Sequence, residues 1–277
     1  MRELKYTRGD IVQRLRKTIA AGRPILGAGS SAGIIAKCAE LGGADLIIAY
    51  SSGRYRIMGL PTAHYGDSNA ITLEMAHEIL NVVRDTPVVG GVQASDAKWI
   101  DLSQLLDKFI DAGYTGLINF WTVTMFAEER KLQDGKGFGF NRELEMTKLA
   151  HERDMFTMGY VFNPEDAAAM AEHGADCIVA HVGATAGGLA GAKVDKSLKE
   201  AAQEAQSIID AAKRVNPEII CLAHGGPFVA PEDTVYLYEH TQAAGFVGAS
   251  SIERIPVEKA VIDVVKQFKG VPIKARL

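Results

Sequence analysis

Eight short apolar runs, each too brief for a helix and each followed by a segment of helical periodicity, constrain this chain more than any other feature. The runs are Pro24 to Ala28, Asp45 to Tyr50, Pro87 to Val92, Gly116 to Trp121, Phe156 to Phe162, Cys177 to Val182, Ile219 to Ala223 and Phe246 to Ala249. Unbroken hydrophobicity marks strands covered on both faces, the condition of a parallel sheet wrapped in helices. The segments between them place apolar residues on one helical face, as with Ile34, Ile35, Cys38 and Leu41, or Val257, Val261, Val264, Val265 and Phe268. Eight βα units predict an α/β fold, a single closed (β/α)8 TIM barrel. An open doubly wound sheet is the rival, but no strong GxGxxG turn follows the first strand and no jump in the sequence marks a reversal of strand order.

The 277 residues suit one such barrel, so residues 1–277 are expected to form a single domain. Residues 1–23 would add an N-terminal helix, Asp10 to Ala21, closing the bottom of the barrel. The tail 270–277 is too apolar for a free terminus and is expected to dock on a neighbouring subunit, which makes a homo-oligomer the expected state. Glycines in Leu41-Gly-Gly, Ala112-Gly, His173-Gly and Ala244-Gly sit just past helices and just before strands. There they accept the left-handed conformation that turns the chain back.

Thirty basic and 34 acidic residues are interspersed, with a net charge of −4, and form no basic stripe, so nucleic acid is not an expected partner. The N-terminus lacks a signal-peptide core and no apolar run approaches the length that spans a bilayer. These features point to a cytoplasmic protein with no membrane partner. Cys38, Cys177 and Cys221 form no CxxC pair and are expected as reduced core residues. Two βα connections, Ser51 to Asn69 and Thr122 to Phe140, are long enough to be lids or solvated excursions.

In a barrel of this type the carboxyl ends of the strands carry the site. His181 and His224 fall at matching points on the sixth and seventh strands, where neighbouring imidazoles suit proton transfer, although each could simply bond the loop backbone. Gly226, Ser250 and Ser251 follow the seventh and eighth strands, where barrels often bind phosphate, although turn geometry alone would also account for the glycine. Arg54 and Arg56, with Ser52 and Gly53, offer donors for a carboxylate or phosphate. A metal site built from the two histidines with Asp67 or Glu253 has no HxH or HExxH spacing behind it.

The ordered blocks Gly27-Ala-Gly, Gly42-Gly-Ala-Asp-Leu-Ile47, Ser52-Gly-Arg-Tyr-Arg-Ile-Met-Gly59, Gly66-Asp-Ser-Asn-Ala70, Ala180-His-Val-Gly183, Gly191-Ala-Lys193, His224-Gly-Gly-Pro227 and Gly248-Ala-Ser-Ser-Ile-Glu-Arg254 resemble the phosphoenolpyruvate hydrolase-like family of TIM-barrel signal transduction proteins, over Asp10 to Lys269. A more distant likeness runs to the phosphoenolpyruvate mutase and isocitrate lyase superfamily. It matches Ser52-Gly53 to a turn that holds a 2-oxo acid carboxylate, and Asp67-Ser68-Asn69 to a following turn. That superfamily carries magnesium-organising carboxylates on its third and fourth strands, where this chain has Gly91, Gln93 and Asn119. A magnesium or zinc cofactor is therefore not supported by those strands, because hard cations bind weakly without negative ligands. The resemblance implies a hydrolase or lyase acting on a small anionic 2-oxo or enol acid, phosphorylated, phosphonate or neither. Arg54, Arg56, Ser52 and Gly53 would hold its carboxylate, Gly226, Ser250 and Ser251 a second anion. His181 and His224 would act as acid and base, with Glu253 orienting one imidazole. The alternative is a non-catalytic anion-binding regulatory module, since this module also occurs fused to another domain.

Overall fold

A computed structural model describes residues 3–62, 64 and 66–273. Eight strands, β1 (Ile25–Gly29), β2 (Leu46–Ala49), β3 (Val88–Val92), β4 (Gly116–Asn119), β5 (Phe156–Val161), β6 (Cys177–His181), β7 (Ile220–His224) and β8 (Gly245–Gly248), pair in sequence order into one closed barrel. The pairs are parallel, and β8 returns to β1 with Leu26 opposite Phe246. Alternate residues turn inward. Ile48 with Tyr50, Met158 with Tyr160, and Cys177 with Val179 belong to one buried cluster inside the barrel, while Ile47, Leu117, Ile178 and Cys221 pack under the helices. Gly113 takes the left-handed cap expected of it, at φ 102°. Gly245 is needed for a different reason, since a Cβ there would lie 2.1 Å from the Ile25 carbonyl.

The N-terminal helix runs Arg8–Ala20, started by a reciprocal Thr7–Asp10 capping box. Its Ile11 and Leu15 are buried in the same cluster as the inner barrel residues. Its polar face bonds the turns entering three strands. The Arg8 amide donates to Asp154 O, Arg14 to Asp85 O and Arg16 to Glu218 O. The helix thus plugs the amino end of the barrel, as the sequence predicts.

Both long connections contain helix. Ser51–Ile57 is helical and the next helix begins at Ser68, while the second connection holds a 3-10 turn, Val123–Met125, and an exposed helix, Ala127–Gly135. Glu128 and Glu129 in the first turn of that helix complement its dipole.

Two expected helix faces are not covered. The helix Gly33–Leu41 buries only Gly33 and Ala36, and Cys38 is exposed, whereas Cys177 and Cys221 are buried as expected. In the last helix, Ile255–Gly270, only Ile255 is buried, and Val257, Val261, Val264, Val265 and Phe268 face solvent. Where a helix would cover β8 and β1 there is instead a groove of about 450 Å³, lined by Ile25, Leu26, Val229, Tyr238, Phe246 and Ile252 among others. A π-helical turn, Ser250–Arg254, leads into the last helix. The start of that helix is held elsewhere, by Arg254 donating to Gly187 O and the Leu189 amide donating to Glu258. Of the tail 270–277, Val271 and Ile273 are exposed, and residues 274–277 lie outside the described residues. Among the described residues no helix is long and apolar enough to cross a membrane.

If Leu15 is the plug that the packing indicates, Leu15→Ala lowers unfolding free energy by about 2–5 kcal/mol in urea titrations. Leu41→Ala, at a side chain 78% exposed, stays within about 0.5 kcal/mol of the parent.

Candidate functional site

The barrel register sets His181 of β6 directly beside His224 of β7, with ring centroids 4.7 Å apart and each residue 6% exposed. Their Nδ1 atoms have opposite jobs. His181 Nδ1 accepts from the Gly183 amide at 3.1 Å, so its proton resides on Nε2. His224 Nδ1 lies 2.7 Å from the Val247 carbonyl, which can only accept, so this ring carries its proton on Nδ1 and presents a lone pair at Nε2. Neither Nε2 bonds another described residue. Burial, reinforced by His224, holds His181 well below its usual value. Burial brings His224 down to about 4 against the opposing effect of the Val247 bond, with a smaller lowering contribution from the Arg56 charge. Both rings are neutral at physiological pH, one a donor and one an acceptor.

Arg56 and Glu253 are the other half of the mouth. Arg56 Nε donates to Glu253 Oε1 at 2.9 Å, and one Nη donates to the same oxygen and to the Tyr50 hydroxyl. The other Nη reaches Ser52 Oγ at 3.2 Å and Thr62 Oγ1 at 3.3 Å. All five guanidinium donors are therefore engaged within the protein. Burial alone would lower the Arg56 pKa, but Glu253 more than offsets it, and the guanidinium is held more firmly charged than usual. Glu253 Oε2 accepts from the Ser31 amide and hydroxyl at 3.0 and 2.5 Å. The expected role of Glu253 as a partner of an imidazole is thereby corrected, since its carboxylate is saturated by Arg56 and Ser31 and His224 is oriented by Val247. Arg54 is half-exposed, 3.3 Å from Glu78, which also accepts from the Gly33 amide. Neither arginine is a free anion clamp as it stands.

The expected phosphate cradle is divided by the structure. Gly226 donates its amide to the Gly183 carbonyl at 2.8 Å. Ser250 is buried, while Ser251 lines the outer groove with its hydroxyl buried and unpartnered. The expected metal candidate Asp67 caps the helix Ser68–Leu80 and pairs with Lys98 at 2.7 Å. Asn119 turns outward, donating to Glu143 at 2.7 Å and to Tyr160 O at 3.1 Å. Asn69 brackets the Gln93 backbone, and a Cβ on Gly91 would fall 2.5 Å from Tyr50 Cβ. Among the described residues no three His, Cys, Asp or Glu side chains are grouped to hold a metal. The chain's donor set does not fit a magnesium ion at these strand ends.

Sequence reasoning placed Tyr160 at a strand end but assigned it no task. Its ring lies 5.0 Å from His181 and 5.2 Å from His224, and its hydroxyl bonds no described residue. Burial raises its phenol well above the usual value. Tyr50, pushed up to about 12 chiefly by burial, packs on Phe120 across the mouth. The available signal was periodicity, because both tyrosines continue the inward alternation of a strand. Glu143 was also missed. It accepts from Asn119 and, at 2.8 Å, from the Val123 amide, and burial pushes its carboxyl up to about 7.

Native Glu143 therefore holds a proton between pH 4.5 and about 7 that the unfolded chain releases. The stabilisation from this group is complete below that window and is lost as pH rises through it. Glu143→Gln, which cannot titrate, is expected to lose this pH-dependent change of up to about 3 kcal/mol in pH-resolved denaturation, whatever offset its NH2 adds by facing a donor.

The pattern of the family described as phosphoenolpyruvate hydrolase-like matches residues 10–271. The chain is 43% identical over 273 residues to the ToMV susceptible protein tm-1(GCR26) of Solanum lycopersicum, covering 95% of this chain and 36% of that protein. It is also 43% identical over 281 residues to the ToMV resistance protein Tm-1(GCR237) of the same plant, covering 98% and 37%. The chain thus spans roughly a third of the length of these relatives. Among solved structures, a phosphonopyruvate hydrolase complex with oxalate and Mg++ superposes with a TM-score of 0.60 at 16% identity, covering 94% of this chain and 87% of that one. That likeness concerns the fold.

Proposed function

The chain belongs to the phosphoenolpyruvate hydrolase-like family, and we propose that its barrel mouth binds and turns over a small 2-oxo or enol acid in a hydrolase or lyase reaction. The observation that carries this reading is the pair of adjacent neutral imidazoles with opposite free Nε2 atoms, a donor on His181 and an acceptor on His224. A carbonyl that becomes an enol needs both at once, a donor for its oxygen and an acceptor for the proton that leaves. Burial and Arg56 disfavour a charged His224, so a proton taken there is returned or passed on within the turnover. The Ser52-Gly53 turn would hold the carboxylate. Ser52 is buried and bonded to Arg56, so the ligand would meet a serine already fixed in place. His224→Asn keeps a donor for Val247 and removes the basic Nε2 nitrogen. It is expected to cut turnover at least about a hundredfold, with acid binding still measurable by calorimetry. Unchanged turnover would sink the assignment.

One observation favours a second reading, a non-catalytic anion-binding module. Among the described residues no three His, Cys, Asp or Glu side chains are grouped to hold a metal, so the ion that would help stabilise an enolate has no ligand set here. Binding without turnover across a broad panel of acids would establish it.

We also propose that the chain is a homo-oligomer, assembled by placing the last helix of one copy in the outer groove of another. The apolar stripe Val261, Val264, Val265 and Phe268 needs cover, and the groove over β8 and β1 lacks the helix that would fill it. Light scattering on the intact chain should give a dimer or larger species. Val261→Asp with Phe268→Lys should shift it toward monomer, and a wild-type monomer would refute the proposal.

A further inference from the structure

Three aromatic side chains on consecutive strands meet at the mouth. The rings of Tyr160, His181 and His224 form a triangle with centroid separations of 4.7, 5.0 and 5.2 Å. Every backbone-facing atom of the histidines is accounted for, through Gly183 and Val247. The polar atoms that remain are the Tyr160 hydroxyl, His181 Nε2–H and His224 Nε2, and none bonds a described residue. The Tyr160 side chain is almost wholly buried, yet its hydroxyl bonds no described residue and is not sealed from solvent, so it is available to a ligand without breaking a bond within the protein.

The donors that could take a strongly charged ligand are already engaged. Every donor of Arg56 is engaged, Arg54 pairs with Glu78, and the Gly226 amide is held by Gly183 O. The strand ends do not fit magnesium, as among the described residues no three His, Cys, Asp or Glu side chains are grouped to hold a metal. The charge that builds on an enol oxygen therefore needs another partner, and two neutral donors beside one acceptor can serve it in a site that excludes most water.

We propose that Tyr160, His181 and His224 receive the 2-oxo or enol oxygen of an unphosphorylated monocarboxylic acid, Tyr160 and His181 donating to that oxygen and His224 accepting from the adjoining O–H or C–H. This rests on the reading of the mouth as a 2-oxo acid site and narrows it to one substrate class. Two neutral hydrogen-bond donors match a single oxygen of partial charge, whereas a phosphate or phosphonate dianion would need the donors that Arg54, Arg56 and Gly226 already give to the protein. Tyr160 is the member of the set that binds without any part in orienting its neighbours by hydrogen bonds.

The test titrates the intact chain, freed of metal with EDTA, calorimetrically with pyruvate, 2-oxobutyrate, phosphoenolpyruvate and phosphonopyruvate, and repeats the series with magnesium. Wild type should bind the unphosphorylated acids without a divalent ion. Tyr160→Phe should weaken them about tenfold or more, and its melting temperature should not fall, because the deleted hydroxyl bonds nothing in the protein. His181→Ala is the second variant, expected to weaken binding likewise. Equal affinity in Tyr160→Phe, wild-type binding only with added magnesium, or binding of the phosphorylated acids alone would overturn this inference while leaving the broader 2-oxo acid reading in place. No binding of any acid, with or without magnesium, would overturn both.

Discussion

The buried ion pair between Arg56 and Glu253 is the interaction on which the mouth depends. Removing two charges from water is costly, and the attraction between them offsets that cost only when their remaining donors and acceptors are satisfied. Both conditions hold. Arg56 gives its five donors to Glu253, Tyr50, Ser52 and Thr62, and Glu253 accepts from Ser31 with its second oxygen. The pair joins the segments that leave β1, β2 and β8, which are the strands at the closure of the barrel. It also fixes the Tyr50 hydroxyl, and the Tyr50 ring can lie across the mouth only because Gly91 leaves the space.

The consequence is a mouth with two unlike walls. On the β1, β2 and β8 side Arg56, Glu253, Ser31, Ser52 and Tyr50 satisfy one another as an electrically balanced support. On the β5, β6 and β7 side the backbone fixes the two imidazoles in opposite tautomers and leaves three polar tips unmatched. A ligand gains most where the protein has left hydrogen bonds unmade, which is why the proposed chemistry is assigned to the second wall. The arginines that look like anion clamps in the sequence belong to the support.

The exposed last helix follows from the same closure. The turn Ser250–Arg254 brings Glu253 inward to meet Arg56 and carries Arg254 to Gly187, so the helix begins beside the loop after β6. Its apolar stripe and the groove over β8 and β1 are then both left uncovered within one copy of the chain.

Local signals along the chain were enough to specify the barrel. Unbroken apolar runs, helical periods between them, proline and acid starts and glycine stops are local signals, and eight of them in order leave few other topologies. It also placed His181 and His224 side by side, because strand-end residues in a parallel barrel fall into register. What it could not show was how polar groups pair. Arg56, Glu253, Ser31 and Asn119 are ordinary strand-end residues until folding brings a carboxylate 197 positions away to a guanidinium or turns an amide outward to Glu143. Nor could helical periodicity say whether an apolar face meets its own barrel, since Val261 and Phe268 read as core and lie exposed. Periodicity reports that a face is apolar, while its partner is chosen by long-range geometry. Long-range geometry settled which polar groups pair and which, on Tyr160, His181 and His224, bond no described residue.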